Sequence, residues 1–316
     1  MKSIPARLFS ISIALSMATS AICQNPATTS SRQRTDRQGE EAPSTIKGFN
    51  GYENFRGMVN SFGSLLKLDS TLGYDFNQYA GVFAGVPLYF ANDSSGTPGQ
   101  TRVHDTGAGD AYFGVEAYAP SSVVNYSTAL TVSAPTGSVR KGFSPGKATI
   151  DWNNHFRRRF SRLTPFLAAG VGNTVPDSEL VTRNFTSLGT VGHFEEGADF
   201  QVMRRVYLGG SAYQIVPFGN QQVFNRFETA VPQDGKQGPG PGAPGEQAGG
   251  ASPGLPSASG NDVTRERGFD AWLGFEPTRV LRMEFGYSRS VTFALNSFSF
   301  NVGLNVGKLL RAQGFH

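Results

Sequence analysis

Cysteine is almost missing from this chain: Cys23 is the only one in 316 residues. One thiol excludes a disulfide framework and any cysteine-based metal site. Charge is sparse, with Asp, Glu, Lys and Arg making up 16% of the residues. The formal net charge of +4 falls to +2 if Lys2 and Arg7 are removed with an N-terminal leader, which argues against a nucleic-acid binder. Long apolar runs are absent too. After the first 23 residues nothing approaches the roughly 20 apolar residues that a membrane-spanning helix needs. Glycine, by contrast, is plentiful at 39 residues, and aromatics reach 12%. Many turns between strands would use both.

The N-terminus reads as an export signal. Lys2 and Arg7 give a positive start, 8–21 is mostly apolar, and Ala21-Ile22-Cys23 offers a small-x-small cleavage site before Gln24. Lipid attachment at Cys23 is the rival processing route, and Ile22 is a poor residue to precede a lipidated cysteine. Residues 24–48 contain almost no large apolar side chains and many Ser, Thr, Gln and charges. They are expected to form a flexible tail.

Beyond that tail the chain repeats with a period of two. From Ser297 to Val306 every even position is apolar (Phe298, Phe300, Val302, Leu304, Val306) and every odd one is small or polar. Such alternation marks a strand with two different faces. The pattern recurs at 52–61, 65–76, 79–90, 110–118, 124–134, 148–157, 163–171, 190–202, 205–216, 267–276 and 280–288. Pro87 interrupts one of these strands and suggests a bulge or rim there. Glu196 breaks another, on the side of Phe194 and Phe200. The total is about twelve strands of a length that crosses a bilayer when tilted.

The connections alternate in length. Tight turns are expected at 77–78, 120–123, 158–161, 203–204 and 277–279, and longer loops at 91–109, 135–147, 173–189 and 217–266. The last includes a Pro/Gly-rich centre with no fixed repeat, expected to be disordered or polyproline-like. Short turns at one end and long loops at the other predict an all-β fold: a single antiparallel transmembrane β-barrel over 49–316, its turns periplasmic and its loops outside.

On these features the chain resembles the Gram-negative outer-membrane β-barrels. The segment Leu68-Asp69-Ser70, Gly73-Tyr74-Asp75-Phe76-Asn77 and Gly85-Val86-Pro87-Leu88-Tyr89-Phe90 is similar to barrels described as transporters, and more loosely to the phenol meta-pathway barrel family. The resemblance implies outer-membrane residence, contact with its lipid, and insertion by the barrel-assembly machinery. Members usually end on an aromatic residue, whereas this chain ends Gly314-Phe315-His316, with Phe315 one place early.

The expected inner face carries both signs of charge: Lys67, Asp69, Asp75, Asp110, Glu116, Asp151, His155, Arg157, His193, Glu195, Asp199, Asp270, Arg282 and Glu284. Such a set would either stiffen a narrow lumen or line a polar channel. His155 with Asp151, and His193 with Glu195 and Asp199, are the groups that could carry catalysis. The topology places His155 near the periplasmic end and His193 near the outer end, so the two are not expected to share a site. His193 and Glu195 alone are too few for a structural metal, and no cofactor is implied. Tyr74, Phe76, Tyr79, Tyr89, Phe90, Trp152 and Phe156 fall near strand ends, as an interfacial aromatic girdle would. The arginines at 157–159 and 162 cluster at one turn. Three functions are compatible with the architecture: a passive channel for small solutes, a non-conducting barrel that displays 217–266, and, least favoured, an outer-membrane enzyme.

Overall fold

A strand whose alternate side chains meet different surroundings needs neighbours on both edges, and a closed barrel supplies them without leaving an edge. The computed structural model of this chain describes residues 48–93, 104–178, 180–226 and 258–312. The proposed leader and tail, and the centre of 217–266, lie outside these residues. The strands are β1 (Gly48–Val59), β2 (Gly63–Asn77), β3 (Ala80–Asp93), β4 (His104–Ala108), β5 (Tyr112–Ala119), β6 (Asn125–Ser133), β7 (Thr149–Arg157) and β8 (Leu163–Gly172). They continue as β9 (Phe185–Leu188), β10 (Val191–Met203), β11 (Val206–Pro217), β12 (Gln221–Asn225), β13 (Ala258–Gly260), β14 (Glu266–Phe275), β15 (Leu281–Ser290) and β16 (Leu295–Asn305). A short helix, α1 (Val306–Ala312), comes after β16.

Twelve of these strands form one closed antiparallel ring, β1-β2-β3-β5-β6-β7-β8-β10-β11-β14-β15-β16, with β1 paired to β16 to close it. The other four lie in the long connections. β4 extends the ladder of β3 above β5, pairing Leu88–Asn92 with His104–Ala108. Pro87 falls where the partner of β3 changes from β5 to β4, so its missing N–H leaves no ladder bond unmade. β12 pairs with β9 and β13 in a small separate sheet. The described ends of 217–266 thus carry two short strands, β12 and β13.

Local chemistry sets the tight turns. The Asn77 side-chain oxygen accepts from Tyr79 N at 2.7 Å and Ala80 N at 2.9 Å, an Asx turn. Thr278 Oγ1 accepts from Leu281 N at 3.1 Å before β15. Asn305 caps α1 by accepting from Lys308 N at 2.8 Å. The strand expected to run through Val306 thus stops one residue earlier.

The two faces of the ring are inverted relative to a water-soluble protein. Outside stand Leu72, Val86, Phe90, Phe113, Leu130, Trp152, Leu167, Phe200, Leu208, Phe269, Phe285 and Phe298, the last 65% exposed. Inside, Asn301 and Glu284 are each 1% exposed and Ser297, Ser299 and Asp270 are buried. Apolar side chains cover every wall strand, far more than the few hundred Å² a monomer tolerates in water, and this is the arrangement that lipid requires. One residue departs from the expected girdle, and one stands on the outer face as alternation expects. Tyr89 points inward, stacked on Phe143 with centroids 5.3 Å apart. Glu196 points outward amid the apolar belt.

Candidate functional site: a loop across the lumen

The connection from β8 to β10 does not stay at the rim. It folds inward and crosses the barrel. Inside the loop, Val175 N donates to Ser187 Oγ at 2.9 Å, Arg183 N to Asp177 Oδ1 at 3.0 Å, and Val181 N to Ser178 Oγ at 3.0 Å. These bonds let it hold its own shape as a narrow hairpin. It starts at β8 and reaches β1 and β2, which stand six and five strands away around a ring of twelve, on the opposite wall. There Lys67 donates to Asp177 at 2.9 Å and Arg56 Nη1 donates to the Ser178 carbonyl at 3.2 Å. Nearer the loop's return, Arg183 is ion-paired with Glu266, and Arg226 donates to the Arg183 carbonyl and lies 3.7 Å from Asp177.

Apolar packing anchors the tip. Leu180 is completely buried, in a cluster with Phe166, Tyr207 and Trp272. It rests on Gly286 of β15, where any Cβ would collide with its side chain. A glycine there is therefore a close-approach requirement. Charge anchors the rest. Burial pushes the Asp177 carboxyl up, but Lys67, then Arg226, outweigh it and hold the group well below the usual carboxylate range. Asp110, in the turn before β5, behaves oppositely. Burial raises it above its ordinary value despite the N–H of Gly137, which donates to it at 2.9 Å.

The loop divides the lumen. On the β2–β10 side lies a polar cavity of about 300 Å³. Lys67, Asp69, Asp110, Asp151, His155, His193 and Glu195 all line it. On the β14–β1 side lies a second space of about 340 Å³, with Met58, Val181, Phe185 and Leu295 in its walls and the Arg183–Glu266 pair beside them.

The fourteen charged and histidine side chains singled out by alternation are all buried or half-buried, and most are engaged. Lys67 is also 3.4 Å from Asp69. Arg282 pairs with Glu284 at 2.7 Å, and Glu284 accepts from Tyr207 at 3.0 Å and Asn301 at 2.8 Å. Glu195 accepts from Ser211 at 2.7 Å, Asp199 from Trp272 Nε1 at 2.9 Å, and Glu116 from Tyr118 at 2.6 Å. Arg157 lies 5.6 Å from the Phe166 ring. Asp75 and Asp270 are buried at 3% and 2% exposure.

The structure corrects the separation of the two histidines. Asn153, Gly170 and His193 are in register across β7, β8 and β10, and so are His155, Ala168 and Glu195. His155 and His193 are therefore one ladder step apart and face the same cavity. Counting along each strand misplaces them, because tilted barrel strands are staggered against their neighbours. Glycines at 170 and 172 leave room for His193 Nε2 to meet Asp151 Oδ1 at 2.9 Å across β8. His155 Nε2 meets Asn153 Nδ2 at 2.9 Å. Among the described residues, Ser127 of β6 stands opposite His155 in the β6–β7 ladder. Among the same residues no three His, Cys, Asp or Glu side chains converge on a metal position.

Alternation could not reveal the loop itself. Asp177 and Lys67 are 110 residues apart, and no periodicity links them. The one local hint is the mix of Leu180 and Val181 with Asp177 and Arg183 in a segment read as a surface loop.

Comparison with known proteins gives the fold a context. No family model and no curated protein sequence matches the chain. Among solved structures it is similar to an outer-membrane channel from Pseudomonas putida F1, with a TM-score of 0.53 and 8% identity over 85% of this chain and 98% of that one. It also aligns with the NanC porin (TM-score 0.43, 8% identity, 80% and 98% covered) and with Omp33 of Acinetobacter baumannii (0.35, 6%, 83% and 100%). The first of these likenesses, at this identity, is one of fold. The chain has the fold of a closed twelve-strand β-barrel, as outer-membrane barrels do.

Proposed function

We propose that this barrel is a passive outer-membrane channel for small polar solutes, and that the loop over 173–190 sets the size that passes. The observation that carries the reading is the inward loop itself. An apolar exterior encloses a charged interior, and a single hairpin spans that interior from one wall to the other. On this reading the short turns face the periplasm and the long loops face outward, as in barrels built this way. A lining with both signs of charge favours small polar solutes of modest net charge over apolar ones. The likeness to a channel supports transport rather than catalysis. Liposome swelling tests the proposal. Vesicles holding the refolded chain are expected to admit small sugars and amino acids and to exclude larger oligosaccharides. Absence of any leak, together with absence of current in planar bilayers, would instead favour a non-conducting barrel that displays 217–266.

A further inference from the structure

The other end of the barrel carries a charged feature that takes no part in the loop. The tight turns there differ in charge. The β2–β3 turn at 77–79 and the β5–β6 turn at 120–124 carry none. The β7–β8 turn carries Arg158, Arg159 and Arg162, and the β10–β11 turn carries Arg204 and Arg205. β8 and β10 are neighbours, so the two basic turns stand side by side.

Between them is a recess of about 120 Å³, lined by Arg159, Arg162, Arg204 and Arg205. Two of these have protein acceptors. Arg159 donates to Gln201 Oε1 at 2.8 Å and to the Ser161 carbonyl at 3.0 Å, and Arg205 donates to the Pro277 carbonyl at 2.6 Å. The guanidiniums of Arg162 and Arg204 donate to no described residue. Two carboxylates share the recess: Asp199, engaged by Trp272, and Glu276. Four guanidiniums against two carboxylates leave an excess of positive charge. A guanidinium presents its donors as a planar fork that matches phosphate oxygens two at a time.

We propose that this recess is a binding site for a phosphate-class anion, with Arg162 and Arg204 making the principal contacts. The phosphate can come from two sources: the headgroup of an anionic phospholipid in the leaflet beside the turns, or a free phosphate or phosphorylated solute at the mouth of the lumen. The chemistry of recognition is the same for both.

The test uses the full chain and an Arg162→Gln/Arg204→Gln variant, both shown to be folded by heat-modifiable gel migration. One arm titrates inorganic phosphate against chloride at constant ionic strength in zwitterionic detergent and follows the unfolding midpoint. The other measures retention of phosphatidylglycerol against phosphatidylcholine by native mass spectrometry. Wild-type binding in at least one arm, weakened about tenfold in the Gln pair, is expected. Binding in the lipid arm alone identifies the headgroup as the source, and binding of inorganic phosphate identifies a free-anion site. If neither arm separates wild type from variant, the proposal is overturned. Should the Gln pair not fold, Arg162→Lys/Arg204→Lys decides the matter, because it keeps the charge and loses the fork. Weaker binding supports the site, and unchanged binding in both arms overturns it.

Discussion

The wall and the loop that crosses it obey opposite rules. In the wall, Phe298 and Leu72 are exposed while Asn301 and Glu284 are buried. In the loop, Leu180 is fully buried in an apolar cluster and the charge of Asp177 is matched by cations. The wall is built for two solvents, lipid outside and water within. The loop is built like a small soluble core inserted into that water. The difference teaches where each region is vulnerable: the wall to polar residues facing lipid, the loop to loss of a buried partner.

Four changes would break or sharpen that contrast. Trp272 packs against the loop tip, whereas Trp152 faces outward at 49% exposure. In a Trp152→Phe background, quenching of Trp272 by iodide therefore reports loop release. The largest effect is expected from Lys67→Met. It removes one of the two cations that face Asp177 and leaves Asp69 beside it, and removing one partner of a buried ion pair costs about 3–5 kcal/mol. Trp272 should become readily quenchable; unchanged shielding would mean that apolar packing alone holds the loop. Leu180→Ala is expected to cost about 2–5 kcal/mol of loop stability, with the same readout. A loss below that range would show that the tip is not anchored by packing.

In the wall, Glu196→Leu is expected to stabilise the barrel by up to about 2 kcal/mol, measured by urea unfolding in vesicles. Destabilisation would mean that Glu196 is not facing hydrocarbon. The smallest effect concerns pH. A carboxyl held low in the folded state contributes stability above its unfolded value of about 3.9 and loses it only as pH falls through the lower folded value. The Lys67–Asp177 tether should therefore persist unchanged from pH 7 to about pH 5, with Trp272 equally shielded at both. Release within that window would contradict the pairing.

The same contrast explains how much of the molecule was legible in the sequence. The twelve wall strands were, because each had to satisfy two environments with a period of two, and β14 shows it plainly in Phe269, Ala271, Leu273 and Phe275 against Asp270 and Gly274. Aromatic residues on the polar face were harder to interpret. Tyr89 is counted with a girdle by its place near a strand end, but alternation with outward Leu88 and Phe90 turns it inward, where it stacks on Phe143. The order at the ends of 217–266 was hidden because β12 pairs with β9, a strand from a different loop. The stagger that brings His193 to Asp151 depends on register, which no single strand records. The lumen-crossing hairpin was invisible for the same reason: its partners are set by tertiary structure alone.

The most direct test of the central claim is single-channel conductance in planar bilayers of the wild-type chain and of a variant in which 175–187 is replaced by a short Gly-Ser link. A small, steady wild-type conductance that rises several-fold on shortening the loop is predicted. Equal conductance from both, or silence from both, would contradict the assignment of that loop as the gauge of a water-filled lumen.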